Sequence, residues 1–332
     1  MNNNINKISK VEIKSLWNRF DLTWNLQPDV NILSGINGSG KSTILNCIAS
    51  LALKGYVPDR TSELIKSVEI LFNNRVALLF EQIQGDIKSL EHQAMEKPQY
   101  GEIVSQLKDK EDSNPSKKFS VWNTTLTPKE PIDLIIDVIS TFDNVIPEAG
   151  KHPDENVKTE LDRDIFRLQK QYLDYQLNIG KKAFEAVTQN NAHIQEDVQN
   201  IRKQQEKFLE IIDNLFKDTG KKINREKNEI VFTSGTEELT AYQLSSGEKQ
   251  ILVILLTVLV QDNKPSIIFM DEPEISLHFD WQKKLIQYIT ELNPNVQIIL
   301  ATHSPAVIME GWRDKVSDVR DLITLDRQKA TT

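Results

Sequence analysis

Eight consecutive residues, Gly35-Ile36-Asn37-Gly38-Ser39-Gly40-Lys41-Ser42, set three glycines, a lysine and a hydroxyl in a fixed order. The order G-x-x-x-x-G-K-[ST] suits the holding of a polyphosphate. Glycines let backbone N–H groups turn in around phosphate oxygens, and a helix starting directly behind them adds the partial positive charge of its N-terminus. On this reading Asn37, Gly38, Ser39, Gly40, Lys41, Ser42 and Thr43 enclose the phosphates of a nucleotide. Lys41 is expected to reach the β- and γ-phosphates and Ser42 to ligate Mg2+. A second constellation, Asp271-Glu272, ends the apolar run Ile267-Ile268-Phe269-Met270. A carboxylate at the end of a buried strand beside a phosphate loop holds the metal, the role expected of Asp271, and Glu272 is placed to polarise an attacking water.

Both constellations need strands that end where the polar residues begin. Ile8–Leu16, Leu22–Leu26 and Asn31–Leu33 read as short strands, and Ile44–Leu53 as a helix behind the glycine-rich loop. Val68–Phe80 reads as a hairpin turning at Asn73-Asn74. Residues 81–130 are polar and irregular and carry no clear periodicity, and Ile132–Ile139 reads as a buried strand. Beyond the middle of the chain, strands at Glu229–Thr233 and Leu239–Tyr242 precede a helix over Ser246–Gln261. The strand Ser266–Met270, a helix over Trp281–Glu291 and the strand Val296–Ala301 follow. Strands alternating with helices predict an α/β fold whose mostly parallel core sheet is covered on both faces, with ligands at the carboxyl ends of its strands.

The middle of the chain differs. Leu161, Ile165, Leu168, Tyr172, Tyr175 and Ile179 recur at alternating spacings of four and three, and Ile194, Val198, Ile201, Phe208, Ile212 and Leu215 keep the same rhythm. This predicts an antiparallel pair of long amphipathic helices, either packed on a core of its own or protruding as a coiled coil. The expected division is therefore 1–150, an N-terminal lobe, 151–222, a helical insertion, and 223–332, a C-terminal lobe. With 39% hydrophobic and 27% charged residues, the composition is that of a globular chain. The net charge of −8 opposes a wholly basic nucleic-acid binder, although Lys217–Lys227 is locally basic. One cysteine, Cys47, excludes an internal disulfide framework. No signal-like leader is evident, and the longest apolar stretch, Ile251–Val260, is too short to span a membrane, so a cytoplasmic location is expected.

By itself Leu244-Ser245-Ser246-Gly247-Glu248-Lys249-Gln250 is a helix start, with Ser245 or Ser246 as the cap. Placed between the glycine-rich loop and Asp271-Glu272, and followed by Ala301-Thr302-His303-Ser304-Pro305, it completes four ordered motifs that resemble the ABC ATPase superfamily. The resemblance implies an ABC ATPase head, a P-loop NTPase with an antiparallel β subdomain and a helical or coiled-coil insertion. It also implies that Leu244, Ser245, Ser246, Gly247 and Glu248 contact the γ-phosphate held by another copy in a head-to-tail homodimer. His303 would sense that phosphate and act on Glu272. Arg19 and Phe20 are the candidates for stacking on the adenine, and Gln82, Gln84 or the Ser140–Asp143 turn for the Q-loop. Glu248 and Lys249 in the signature resemble the SMC, Rad50, RecF and OLD-like branch rather than transporters.

Within that branch the chain is similar to stand-alone anti-phage defence ATPases of the Septu and PARIS types. So few residues follow His303 that no attached nuclease domain is expected. The resemblance implies an ATPase sensor, dimeric or of higher order, that controls a separate effector such as a nuclease or toxin. Two other roles stay open: a DNA-repair or chromosome-handling ATPase, with Lys217–Lys227 as the patch for DNA, and the nucleotide-binding subunit of a transporter.

Overall fold

The computed structural model describes residues 7–85, 87–96, 100–101, 104–105, 119–127, 134–139, 144–146, 154–188, 194–309 and 311–326. In chain order the strands are β1 (Ile8–Leu16), β2 (Phe20–Asn25), β3 (Val30–Ser34), β4 (Ser67–Phe72), β5 (Ala77–Gly85), β6 (Phe119–Thr127) and β7 (Ile135–Ile139). They continue with β8 (Lys221–Ile223), β9 (Val231–Ser234), β10 (Glu237–Thr240), β11 (Ser266–Asp271), β12 (Val296–Ala301), β13 (Val316–Asp318) and β14 (Ile323–Asp326). The longer helices are α1 (Lys41–Lys54), α2 (Ile87–Glu96), α3 (Glu160–Thr188), α4 (Ile194–Leu215), α5 (Ser246–Val260) and α6 (Phe279–Leu292). They form two units: Asp29–Lys41 with Leu134–Ser317, and Met1–Pro28 with Ser42–Asp133 and Asp318–Thr332.

The first of these units is built on a five-stranded sheet of order β13-β3-β12-β11-β7. β12 runs parallel to both β3 and β11, and β11 runs parallel to β7. All six residues of β12 and the first five of β11 are buried, so their sequences are nearly continuous apolar runs rather than alternating ones. Register does the positioning. Ala301 lies opposite Leu33 on one side and Asp271 on the other, which brings the ends of three strands into one row. β7 corrects an expectation: it sits at the edge of the sheet, only Ile139 is buried and Val138 is open to solvent.

Helix α5 is apolar on every side and buries Ile251 to Leu259 without interruption, as a helix inside a core must. Leu161, Ile165, Leu168, Tyr172, Tyr175 and Ile179 of α3 join Phe208, Ile212 and Leu215 of α4 in the same cluster as α5 and the sheet residues Val30, Ile32 and Ile268. The helical pair therefore shares the core of the sheet instead of making its own. Past Ile179 this changes, since Phe184 and Val187 are exposed. The end of α3 is tied instead by Lys182, whose ammonium meets the Asp262 carboxylate. Beside these elements β8, β9 and β10 form a small antiparallel sheet.

The other unit carries a six-stranded sheet of order β14-β2-β1-β4-β5-β6. β4 alternates, burying Val68, Ile70 and Phe72 while Ser67, Glu69 and Leu71 are less covered, the mark of a sheet with one packed face. The hairpin from β4 to β5 turns at Asn73–Val76 with Arg75 at φ 69°, where the sequence places it. The stretch without periodicity contains β6, paired with β5 from Ala77 opposite Thr127 to Gly85 opposite Phe119, and α2. Trp122 of β6 stacks on Phe80 with centroids 4.6 Å apart. Among the described residues no helix is long and apolar enough to cross a membrane.

Candidate nucleotide site

The glycine-rich loop leaves β3 and turns into α1 through Gly38 at φ 79° and Gly40 at φ 94°. No atom lies within 4 Å of a Cβ built on Gly38, so it is the backbone angle and not space that calls for glycine there. The Ser39 N–H closes a turn onto the Ile36 carbonyl at 3.0 Å. The Ser39 hydroxyl is buried with no hydrogen-bond partner among the described residues. Lys41 is 5% exposed, and its ammonium donates to the Gly35 carbonyl at 3.0 Å. The same ammonium is 3.7 Å from Oε1 of Glu272.

Glu272 follows β11 at φ 50°, a left-handed conformation that costs a residue other than glycine about 1–3 kcal/mol. The Glu272 N–H to the Ala301 carbonyl, 2.8 Å, holds it there. With the chain bent in this way, one carboxylate oxygen faces Lys41 and the other lies 2.6 Å from Nδ1 of His303. His303 itself reaches this position because the Thr302 N–H bonds to the Leu33 carbonyl at 3.1 Å, across from β12 to β3. Lys41, Glu272 and His303, separated by hundreds of residues in part, are thus one contact chain.

A third carboxyl, Glu274, is given no role by the sequence, although it stands in the Asp271-Glu-Pro-Glu274 run. It is 5% exposed, and Oε1 accepts the Thr302 hydroxyl. Burial pushes this carboxyl above the usual carboxylate range, the Thr302 bond opposes the rise, and the charge and hydrogen bond of Glu272 add to it. Ligand atoms of Glu272, Glu274 and His303 lie within 4.8 Å of one another. With Thr302 on one oxygen and imidazole against Glu272, this is a hydrogen-bonding cluster; Mg2+ takes oxygen donors in octahedral array. Asp271, at the end of β11, and the hydroxyls of Ser39 and Ser42 are donors of that kind.

The signature turn opens α5. Ser245 is the N-cap: its Oγ accepts the Glu248 N–H at 3.3 Å, and Oε2 of Glu248 accepts the Ser245 N–H at 2.9 Å. This reciprocal box satisfies two helix-end donors. Gly247 meets the fold closely, since a Cβ there would be 2.3 Å from the Ser276 carbonyl oxygen. Ser245 and Ser246 are exposed, whereas Leu244 and Glu248 are buried. Within the turn, then, the side chains open to solvent are those of Ser245 and Ser246, and those of Leu244 and Glu248 point inward. Oε1 of Glu248 accepts from Lys221 at 2.7 Å and from Thr219 at 3.1 Å, so it braces the turn from inside.

Arg19 and Phe20 belong to the other unit, where the Arg19 guanidinium lies 4.4 Å from the Phe20 ring centroid and Trp17 meets that ring edge-on. Ser42 and Thr43 open α1 in that unit. Gln84 donates to Gln82 at 2.8 Å on β5, and the Ser140–Asp143 turn lies outside the described residues.

A phosphate loop between strand and helix, with a carboxylate and a histidine at the ends of the two neighbouring parallel strands, defines a P-loop nucleotide-binding protein. The chain belongs to the family described as "AAA domain, putative AbiEii toxin, Type IV TA system", which matches residues 30–310. It is 27% identical over 146 residues to the "Retron Vc95 probable ATPase" of Vibrio cholerae serotype O1 biovar El Tor, covering 40% of this chain and 28% of that one. It is also 27% identical over 135 residues to the "Septu protein PtuA" of Bacillus thuringiensis, covering 35% and 33%. The matches therefore span about a third or less of these relatives. An SMC head from Thermotoga maritima resembles 92% of the chain with 15% identity and a TM-score of 0.43.

Proposed function

We propose that this chain is an ATPase that binds Mg-ATP on the loop Gly35–Ser42, closes head to tail with a second copy, and so switches a separate effector in a cytoplasmic defence system. The observation that carries the reading is the chain of contacts Lys41–Glu272–His303. Lys41 exchanges the Gly35 carbonyl and Glu272 for the β- and γ-phosphates when ATP arrives. Glu272, released from that cation, orients the attacking water and accepts its proton, while His303 keeps the carboxylate aligned and senses the γ-phosphate. Ser42 and Asp271 would hold Mg2+, which neutralises charge on the phosphates when bound. The exposed Ser245 and Ser246, with the half-buried Gly247, complete the site of the opposing copy, so burial of the triphosphate supplies the affinity difference that favours closure.

The retron and Septu relatives support the defence setting. On this proposal the effector, a nuclease or toxin, is held on another polypeptide, with residues 151–222 as the arm that transmits closure. A DNA-handling role is less well supported, because three of the five basic residues in this segment are paired with carboxylates outside it. Lys221 pairs with Glu248, Arg225 with Asp213 and Lys227 with Glu238. The test is Glu272→Gln: with ATP it should elute as a stable dimer in size-exclusion chromatography and turn over little. Unchanged turnover in that variant sinks the assignment.

A further inference from the structure

We infer that Glu274 is a positioning residue that holds His303 against Glu272, a proposal that rests on the roles given above to those two. Glu274 lies in the turn after β11, and its Oε1 receives the Thr302 hydroxyl. Oγ1 of Thr302 in turn accepts the Ser304 N–H at 2.9 Å. The Ser304 hydroxyl donates to Oε1 of Gln282 at 2.9 Å, and the Gln282 amide returns to the Leu277 carbonyl at 3.0 Å and the Glu274 carbonyl at 3.3 Å. The ring of bonds closes on the segment where it began.

His303 is the only outward member of this segment: its side chain is 55% exposed, whereas Thr302 is fully buried and Ser304 is 9% exposed. An exposed imidazole on a free loop would exchange rotamers and lose its contact with Glu272. Here the residues on both sides of it are fastened, through Thr302, to a carboxyl in the same turn after β11 that carries Glu272. Glu274 is not itself a second base, because its Oε1 is engaged by Thr302 and it is sealed from solvent. Burial, with the Glu272 charge beside it, pushes its pKa up. An amide of the same shape would still accept the Thr302 hydroxyl.

The test is steady-state ATP turnover by the full chain. Glu274→Ala should lower kcat about tenfold, within the coupling range of networked residues, and leave KM for ATP within about twofold. Glu274→Gln should recover most of the rate. Thr302→Val should match Glu274→Ala, and it carries the comparison should Glu274→Ala fail to fold. In a His303→Ala background, Glu274→Ala should add nothing further. Equal losses in Glu274→Ala and Glu274→Gln, or a full further tenfold loss in the His303→Ala background, would overturn the positioning role alone. A His303→Ala variant with normal kcat would instead overturn the reading of the site on which this rests.

Discussion

The ammonium of Lys249 lies 2.7 Å from Oδ1 of Asp162, and both residues are buried. This pair joins the first turn of the signature helix α5 to the first turn of α3. The next residue back, Glu248, is bound to Lys221 just past the end of α4. Both ends of the helical arm are therefore fastened to two adjacent residues of the signature, which gives the arm a direct mechanical link to the turn that would face a second nucleotide.

Breaking that pair on one side should be costly. Lys249→Met leaves Asp162 buried with only the Lys158 and Thr159 N–H groups on its other oxygen. A loss of about 3–5 kcal/mol is expected, the usual cost of an uncompensated buried charge. Urea unfolding measures it, and Asp162→Asn combined with Lys249→Met should restore part of the loss. A single variant as stable as the parent would show that the pair is not desolvated.

Glu248 sets part of the acid stability. Burial by itself would raise its carboxyl, but the Lys221 ammonium and the Ser245 and Thr219 bonds outweigh it and hold the pKa below the ordinary value. A depressed folded pKa means the stabilisation is complete above the unfolded pKa of about 4.3 and is lost as pH falls through the lower folded value. Glu248→Gln should be less stable near neutrality and should lose less on acidification. Urea midpoints taken across the acid range test this, and parallel curves for the two proteins would contradict it.

Gly247→Ala should disturb the signature without touching the phosphate loop. Its Cβ would stand 2.3 Å from a backbone oxygen of Ser276, which cannot swing away as a side chain would. The strain of such overpacking is about 1–3 kcal/mol. Thermal melting should fall accordingly, and ATP-dependent dimerisation should weaken while the monomer still binds nucleotide. A variant that melts and dimerises like the parent would remove the argument for glycine here.

Lys41→Ala removes the buried cation of the site. Nucleotide affinity should drop about 10- to 150-fold, the equivalent of one hydrogen bond to a charged group. Titration calorimetry with ATP is the measurement, and an affinity like that of the parent would refute the phosphate-loop reading.

How far the sequence carries this protein depends on how local each requirement is. The loop Gly35–Ser42 is legible because turn, cradle and helix start are demands on consecutive residues. Asp271-Glu272 is legible because a fully apolar run such as Ile267–Met270 must be a covered strand and the first charge must mark its end. Helices α3 and α4 declare themselves by heptad spacing, but spacing alone could not say whether they packed on each other or on α5. β6 escaped notice because Asn123, Thr124 and Thr125 interrupt any alternation, and pairing with β5 supplies what its own residues do not. β7 looked buried because its composition is apolar, while sheet order put it at an edge.

The side chains around the motifs were decided by tertiary structure. Glu274 and Thr302 meet because β11 and β12 are neighbours in register, and nothing near either residue announces the other. Glu248, by resemblance a ligand for nucleotide, is turned inward because Lys221 waits beneath the helix start to neutralise it. Local backbone demands are written in contiguous residues and can be read from them. The partner of a buried charge is chosen by which distant strands and helices come together, and that requires the fold.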